Sequence, residues 1–115
     1  MSGERRNALP NGYQFEGYRI DGVLGAGGFG MTYRATEVAL DRTVAIKEFL
    51  PGGIVMRDTD KVTVHAVGAS EQRDFEWGLN SFRKEAATLV TFRHPNIVAV
   101  YRYFEANGTA YMVMA

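Results

Sequence analysis

The chain of 115 residues contains no cysteine. This absence excludes disulfide bonds, thiolate metal sites and a cysteine nucleophile. The 13 basic and 13 acidic side chains leave no net charge, so no overall attraction to nucleic acid or to an anionic membrane is expected. A phosphate-binding site in this chain would therefore have to be local.

Long apolar segments are also lacking. No run approaches the roughly 20 apolar residues that a membrane span needs, and the first six residues lack the apolar stretch of a secretion signal. We therefore expect a cytoplasmic location, with no membrane-embedded part in this segment. The hydrophobic content of 46% is typical of a folded core, and the length fits one domain.

The first half of the chain has the composition of β-strands. Residues 1–12 are polar and end at a turn-forming Pro-Asn-Gly, so they are predicted to be a flexible lead-in to a domain at 13–115. β-branched, aromatic and alternating residues then predict strands at 18–24, 31–38 and 43–50. Their short connections imply antiparallel pairing.

The second half contains one helix and two more strands. Residues 51–67 are predicted to form a small extra hairpin, and Ser70 is a candidate N-cap for a helix over about 70–93. Pro95 disfavours its continuation, and strands follow at 97–105 and 109–114 around Asn107-Gly108. One helix face is apolar at steps of four and three residues: Phe75, Leu79, Phe82, Ala86 and Leu89.

The run Gly25-Ala-Gly27-Gly28-Phe29-Gly30 is compatible with two kinds of phosphate site. In a dinucleotide-binding unit the glycines open a helix, but the residues after Gly30 favour a strand and leave no room for a crossover helix. A glycine-rich hairpin whose amides face phosphate oxygens fits better. An ordinary tight turn is the simpler alternative, although a turn needs only one or two glycines, and each costs about 0.5–1 kcal/mol in a strand.

Lys47 follows Val44-Ala45-Ile46 on the third predicted strand, where its ammonium could meet phosphate as a point charge. The alternative is a lysine whose stem lies on the sheet and whose head reaches water. Glu85 lies at the edge of the helix's apolar face, so we expect it to form an ion pair with Lys47, the alternative being a helix that is swung out and leaves the pair open. An exposed pair would add only about 0.2–1 kcal/mol, so positioning of the lysine explains it better than stability.

These motifs together resemble the N-terminal, ATP-binding lobe of a bacterial-type Ser/Thr protein kinase. The resemblance covers about residues 18–115 and includes His94-Pro95-Asn96-Ile97-Val98, for which it implies a structural role. It implies an α+β fold with a five-stranded antiparallel sheet and one main helix.

The resemblance also implies roles for individual residues. The glycine-rich run would cover the ATP phosphates, Lys47 would contact the α- and β-phosphates, and Glu85 would hold Lys47. Thr32 stands where the family usually has valine, and Met114 would be the gatekeeper. The implied nucleotide-contacting residues are Leu24, Gly25, Ala26, Gly27, Gly28, Phe29, Gly30, Thr32, Ala45, Lys47, Glu85, Val98 and Met114.

The chain has no His-Arg-Asp or Asp-Phe-Gly sequence and ends where the hinge would begin. We therefore expect an incomplete kinase domain without its C-lobe, inactive alone, with Mg²⁺ bound only when that lobe is present and no metal site of its own. The parent would transfer the γ-phosphoryl group of Mg-ATP to a protein hydroxyl. An exposed apolar underside predicts weak self-association. The alternative is a kinase-like regulatory, protein-binding module without nucleotide use. An oxidoreductase is a third hypothesis, which the predicted strand after Gly30 argues against.

Overall fold

A computed structural model describes residues 7–92 and 94–115, which form one antiparallel sheet, one helix and one small hairpin. The elements in chain order are β1 (Gln14–Phe15), β2 (Tyr18–Gly27), β3 (Gly30–Glu37), β4 (Arg42–Phe49), β5 (Val55–Arg57), β6 (Val64–Ala66), α1 (Ala69–Thr91), β7 (Val100–Ala106) and β8 (Thr109–Met114). This is the predicted α+β fold. No helix in the described part of the chain combines the length and apolar character that a membrane span needs.

The main sheet has the strand order β1-β2-β3-β4-β8-β7, and all neighbours are antiparallel. Five of these strands are the predicted ones, and the two-residue β1 adds a sixth at the edge. The β7–β8 turn is formed by Asn107 and Gly108, whose φ angles are 56° and 78°. Two consecutive positive φ values characterise a type I′ hairpin turn, so this part of the sequence prediction is confirmed.

Alternation along the strands gives the sheet two different faces. On β4, Val44 and Ile46 point into one apolar cluster, whereas Phe49 points into another. The first cluster lies under the N-terminal segment and the β5–β6 hairpin, and the second lies under α1. Lys47 and Glu48 are adjacent in the chain, so their side chains leave β4 on opposite faces of the sheet.

Helix α1 buries the predicted apolar stripe, with Phe75, Phe82 and Ala86 buried and Leu79 and Leu89 packed beside them. Its start differs from the prediction, because the N-cap is Gly68 and no side chain caps the helix. Ser70 lies inside the first turn. Its hydroxyl bonds to the carboxylate of neighbouring Glu71 rather than to a free amide. The helix ends at Thr91, and Arg93, near which it was expected to stop, lies outside the described residues.

The predicted extra hairpin exists as β5 paired with β6. It is attached to the sheet by Arg57, whose guanidinium lies 2.7 Å from the Glu48 carboxylate. The side chains of Arg57 and Glu48 are 4% and 0% exposed. Burial lowers the pKa of Arg57, but the hydrogen bond and charge of Glu48 outweigh burial, so the net shift of this pKa is upward. Arg57 also donates to the Val62 carbonyl at 2.8 Å.

Two tyrosines complete the bonding of Glu48. Tyr33 and Tyr111 donate their hydroxyls to its two carboxylate oxygens at 2.6 and 2.7 Å. The Tyr33 hydroxyl in turn accepts the Leu9 amide at 3.0 Å. Every described buried side-chain nitrogen or oxygen has a hydrogen-bond partner, as buried polar groups require.

The described part of the lead-in is packed against the sheet, which differs from the flexible segment expected at residues 1–12. Leu9 is 2% exposed and belongs to the first apolar cluster. The Asn7 carbonyl accepts a hydrogen bond from Arg57 at 2.8 Å. The prediction relied on the polar composition of residues 1–12, whereas the residues that hold this segment in place are far away in sequence. Residues 1–6 lie outside the described residues.

Replacing Arg57 with methionine should lower the free energy of unfolding by about 3–5 kcal/mol, because a buried carboxylate loses its charge partner. Urea denaturation followed by circular dichroism measures this loss. Arg19→Met is the control, since it breaks the Arg19–Asp21 pair, in which the side chains are 42% and 21% exposed. The control should cost about 0–1 kcal/mol, and equal losses for both variants would contradict the prediction.

The same network predicts alkaline sensitivity. Burial, and then the charge of Glu48, raises the pKa of Tyr33 and of Tyr111. Above pH about 10 the unfolded chain loses phenolic protons that the folded chain keeps, so stability falls by about 1.4 kcal/mol per pH unit for each tyrosine. Tyr33→Phe should make this slope shallower by that amount in urea titrations between about pH 10 and 11. Tyr101→Phe, at a 44% exposed position, should not. An unchanged slope in Tyr33→Phe would refute the assignment.

Candidate functional site

The glycine-rich run forms the tip of the β2–β3 hairpin. β2 continues through Gly27, which pairs with Gly30, so Gly28 and Phe29 make a two-residue turn. Irregular pairing between Val23 and Gly25 bends β2 where the run begins. The structure therefore has the predicted hairpin at this run. Strand β3 follows it, and not the helix that a dinucleotide-binding unit would have.

A cavity of about 360 Å³ lies beneath this tip. Lys47 reaches it from β4, where its backbone pairs with Thr32 of β3. Among the described residues that line this cavity, Lys47 alone carries a charge. The lining residues are Gly25, Ala26, Gly27, Gly28, Phe29, Gly30, Thr32 and Lys47. The structure thus brings together eight of the residues that the sequence singled out.

The glycines of the tip differ in what surrounds them. A Cβ added at Gly25, Gly27 or Gly28 would meet no atom within 4 Å beyond the chain neighbours, and none of the three has a positive φ. A Cβ at Gly30 would overlap the carbonyl oxygen of Glu48. Packing therefore explains the glycine at Gly30 but not the other three.

A second cavity of about 510 Å³ lies between α1 and the sheet. Its walls are mainly aromatic, with a few charged groups at the rim. The lining residues are Phe29, Lys47, Phe49, Pro51, Ile54, Asp74, Trp77, Gly78, Ser81, Phe82 and Glu85. Lys47 lines both cavities, so its ammonium stands between the space under the hairpin and the space under the helix.

The predicted ion pair between Lys47 and Glu85 is not formed. Among residues 7–92 and 94–115, the ion pairs present involve other residues, and Lys47 has no hydrogen-bond or charge partner. Glu85 lines the far side of the larger cavity and is exposed. The prediction was therefore wrong for this conformation, although the two residues face a common space.

Phe49 packs between the strand that carries Lys47 and the helix that carries Glu85. It lies two residues after Lys47, on the same face of β4, and its ring packs on Phe75 and Phe82 at centroid distances of 5.8 and 5.4 Å. A Cβ at Gly78 would approach this ring to 2.7 Å, so the helix backbone already rests on it. The aromatic ring sets the spacing between α1 and β4.

Neither cavity is lined by the four nucleotide-contacting residues that the family resemblance implies for the adenine, which are Leu24, Ala45, Val98 and Met114. Ala45 pairs with Met114, and Val100 pairs with Met114 from the other side, which places Ala45 and Met114 beside Lys47 on one face. Leu24 and Val98 are each 59% exposed. Val98 was predicted to lie in the strand at 97–105, but the observed strand β7 begins at Val100. Adenine contact and self-association through this face stay predictions.

Magnesium has no ligand set of its own in the described part of the chain. No carboxylate is among the described residues that line the cavity under the hairpin, and no group of three or more His, Asp or Glu side chains there could hold a metal ion. The residues present thus fit phosphate better than a cation.

Comparison with known proteins agrees with this architecture. PknJ, a serine/threonine-protein kinase of Mycobacterium bovis, is 32% identical over 106 residues, which are 92% of this chain and 15% of PknJ. PrkC of Bacillus subtilis, also a serine/threonine-protein kinase, is 32% identical over 97 residues, which are 84% of this chain and 12% of PrkC. No protein-family model matches the chain.

Solved structures extend the comparison to three dimensions. The apo form of PpkA-294 superposes with a TM-score of 0.90 at 44% identity, over 94% of this chain and 38% of that one. The kinase domain of Mycobacterium tuberculosis PknI superposes with a TM-score of 0.61 at 22% identity, over 93% of this chain and 36% of that one, which supports the fold alone. The chain belongs with the bacterial Ser/Thr protein kinases and has the fold of their small lobe. This kinase lobe spans only a minor part of each relative.

Sequence reasoning missed several residues near Lys47. Phe49 and Trp77 line the larger cavity of the kinase lobe, yet they were interpreted only as strand and helix positions. Glu48 was passed over as part of the strand, although an acidic residue between Ile46 and Leu50 was a signal of a buried polar network. Such a carboxylate needs donors, and their identity depends on distant segments.

The contrast between the tip glycines gives a direct test. Gly30→Ala should lower the free energy of unfolding by about 1–3 kcal/mol, because the new methyl group has to displace the β4 backbone. Gly27→Ala, where the methyl meets open space and the strand loses a glycine, should leave it unchanged or raise it by up to about 1 kcal/mol. Chemical denaturation of both variants measures the difference. Equal stabilities would mean that the tip does not pack on β4 as described.

Proposed function

We propose that this chain is the ATP-binding lobe of a Ser/Thr protein kinase and that the glycine-rich hairpin and Lys47 contact the nucleotide's phosphates. The observation that carries the proposal is the position of Lys47, a half-buried residue that has no hydrogen-bond or charge partner among the described residues and lines the cavity beneath the glycine-rich hairpin. The similarity to kinases indicates the family, and the cavity beside Lys47 supports a ligand with phosphate groups.

The open glycines support close approach by a ligand. Since neither packing nor a positive φ requires glycine at Gly25, Gly27 or Gly28, the fold gains nothing from their flexibility and loses strand stability. A side chain at any of these positions would narrow the space between hairpin and phosphate. Backbone amides that reach an anion directly are a recurrent phosphate-binding device.

Charge supports the same assignment. Phosphate oxygens would give Lys47 the charge-assisted hydrogen bonds that it lacks among the described residues. Asp74 and Glu85 line the larger cavity with Lys47, but neither carboxylate pairs with it, and Glu48 lies on the other face of the sheet. We propose that Glu85 holds Lys47 only when α1 moves closer to β4.

Adenine would lie further along the same face, bordered by Leu24, Ala45, Val98 and Met114. The whole protein would transfer the γ-phosphoryl group of Mg-ATP to a serine or threonine hydroxyl of a protein. The chain itself is proposed not to catalyse this step, since it contains neither the His-Arg-Asp nor the Asp-Phe-Gly sequence that would supply a base and metal ligands.

Nucleotide titration tests the proposal. ATP should shift NMR signals of the hairpin tip, and Lys47→Ala should weaken its binding about ten- to a hundredfold, as expected for loss of about 1.5–3 kcal/mol of charged hydrogen bonding. AMP, which lacks the β- and γ-phosphates, should discriminate less between the variant and the wild type. The same samples should show only background turnover of labelled ATP.

Lys84→Ala is the matched control. It removes the same charge from an exposed position on α1 that lines neither cavity, so ATP affinity should stay unchanged. If Lys47→Ala and Lys84→Ala bind ATP equally, Lys47 is not a phosphate contact. If the wild type shows no shifts at millimolar ATP, the rival function, a regulatory module that works through protein contacts, gains support.

A further inference from the structure

The segment after β4 touches the tip of the glycine-rich hairpin. The Gly52 amide donates to the Gly28 carbonyl at 2.9 Å, and the Leu50 amide donates to the Phe29 carbonyl at 3.0 Å. These two bonds lie beyond the last paired residues of β3 and β4, Gly30 and Phe49. The tip is therefore bonded to the start of the extra hairpin as well as held by its own two strands.

The contacting turn is itself ordered by backbone bonds. The amides of Ile54 and Val55 both lie 3.3 Å from the Pro51 carbonyl, and the Val67 amide donates to the Ile54 carbonyl at 2.9 Å. Gly53 has a φ of 79°. A four-residue turn with positive φ at its third position matches type II, in which proline is common at the second position.

The buried ion pair anchors this turn at a distance. β5 runs from the turn to Arg57, and the contacts of Arg57 with Glu48, Val62 and Asn7 fix the far end of that strand. Glu48 lies on β4 next to Lys47. The same strand thus presents the proposed phosphate contact on one face and holds the extra hairpin on the other.

We propose that residues 51–57 are a positioning element that holds the glycine-rich tip over Lys47 through the Gly52 amide. This inference rests on the proposed nucleotide site and assigns a role to the segment that makes the connection between Lys47 and Glu85 long. Gly52 would act through Gly28 and not by touching the nucleotide. Loss of its amide releases the tip and lowers nucleotide affinity, although no residue proposed to contact the nucleotide is itself replaced.

A pair of substitutions at one position isolates that amide. Gly52→Pro replaces the N–H donor with the ring Cδ, which would crowd the Gly28 carbonyl oxygen and so break this bond, at a turn position where proline is otherwise favoured. Gly52→Ala keeps the donor, and its Cβ would lie 3.7 Å from the Gly28 carbonyl oxygen, an ordinary contact. Urea denaturation of both variants checks that global stability is comparable before the site is examined.

The first readout needs no nucleotide. Hydrogen exchange of the Leu50 amide, which donates to Phe29, reports whether the tip stays bonded to β4. We expect up to about tenfold faster exchange in Gly52→Pro, corresponding to one lost hydrogen bond, and the wild-type rate in Gly52→Ala. Wild-type exchange in the proline variant would overturn the proposal, whatever the chain does with ATP.

The second readout is ATP affinity of the same three proteins. Weaker binding by Gly52→Pro, with Gly52→Ala equal to wild type, supports the positioning role. Faster exchange with unchanged affinity would overturn that role, because the tether would then be structural only. A wild type that binds no ATP would overturn the proposed function and the nucleotide part of this inference together, while the exchange result would still decide whether the tether exists.

Discussion

The carboxylate of Glu48 is the interaction on which the arrangement of this kinase lobe depends. It is fully buried, and three donors converge on it from Tyr33, Tyr111 and Arg57. These residues come from β3, β8 and β5, which are not consecutive elements of the chain. Because an ionised carboxylate without partners would be very costly at this depth, all three segments have to reach it together. The network therefore specifies one arrangement of the sheet and the extra hairpin more strongly than apolar packing alone would.

This constraint on one face of β4 determines what the other face can do. Side chains alternate along a strand, so fixing Glu48 among its donors directs Lys47 to the opposite face, under the glycine-rich hairpin. A slip of one residue would bury the ammonium among tyrosines and expose the carboxylate to the cavity, which the charges of both groups forbid. The buried polar network and the candidate phosphate site are thus two consequences of a single register. Stability at Glu48 and positioning at Lys47 cannot be separated in this fold.

The features that could be predicted from the sequence are those with local causes. The hairpin turn at Asn107-Gly108 follows from the φ values that these residues tolerate, and the α1 stripe follows from helical spacing. The gathering of the glycine-rich run with Thr32 and Lys47 in one cavity also followed from the order of the motifs. The errors involve distances between elements. Ser70 was an acceptable cap in composition, but the helix began one residue earlier, and no local pattern revealed that Phe49 would hold α1 away from Lys47.

The position of Phe49 explains why the lysine remains available to an anion. Phe49 lies on the same face of β4 as Lys47, so the strand that presents the ammonium also sets the distance of the helix that carries Glu85. A movement of α1 toward β4 would require the ring of Phe49, which packs on Phe75 and Phe82, to repack, because interiors do not deform continuously. The cavity beneath the glycine-rich hairpin borders Lys47 as well, and no carboxylate is among the described residues that line it. In this conformation Lys47 therefore has no carboxylate partner among the described residues, which is the state that the proposed phosphate contact requires.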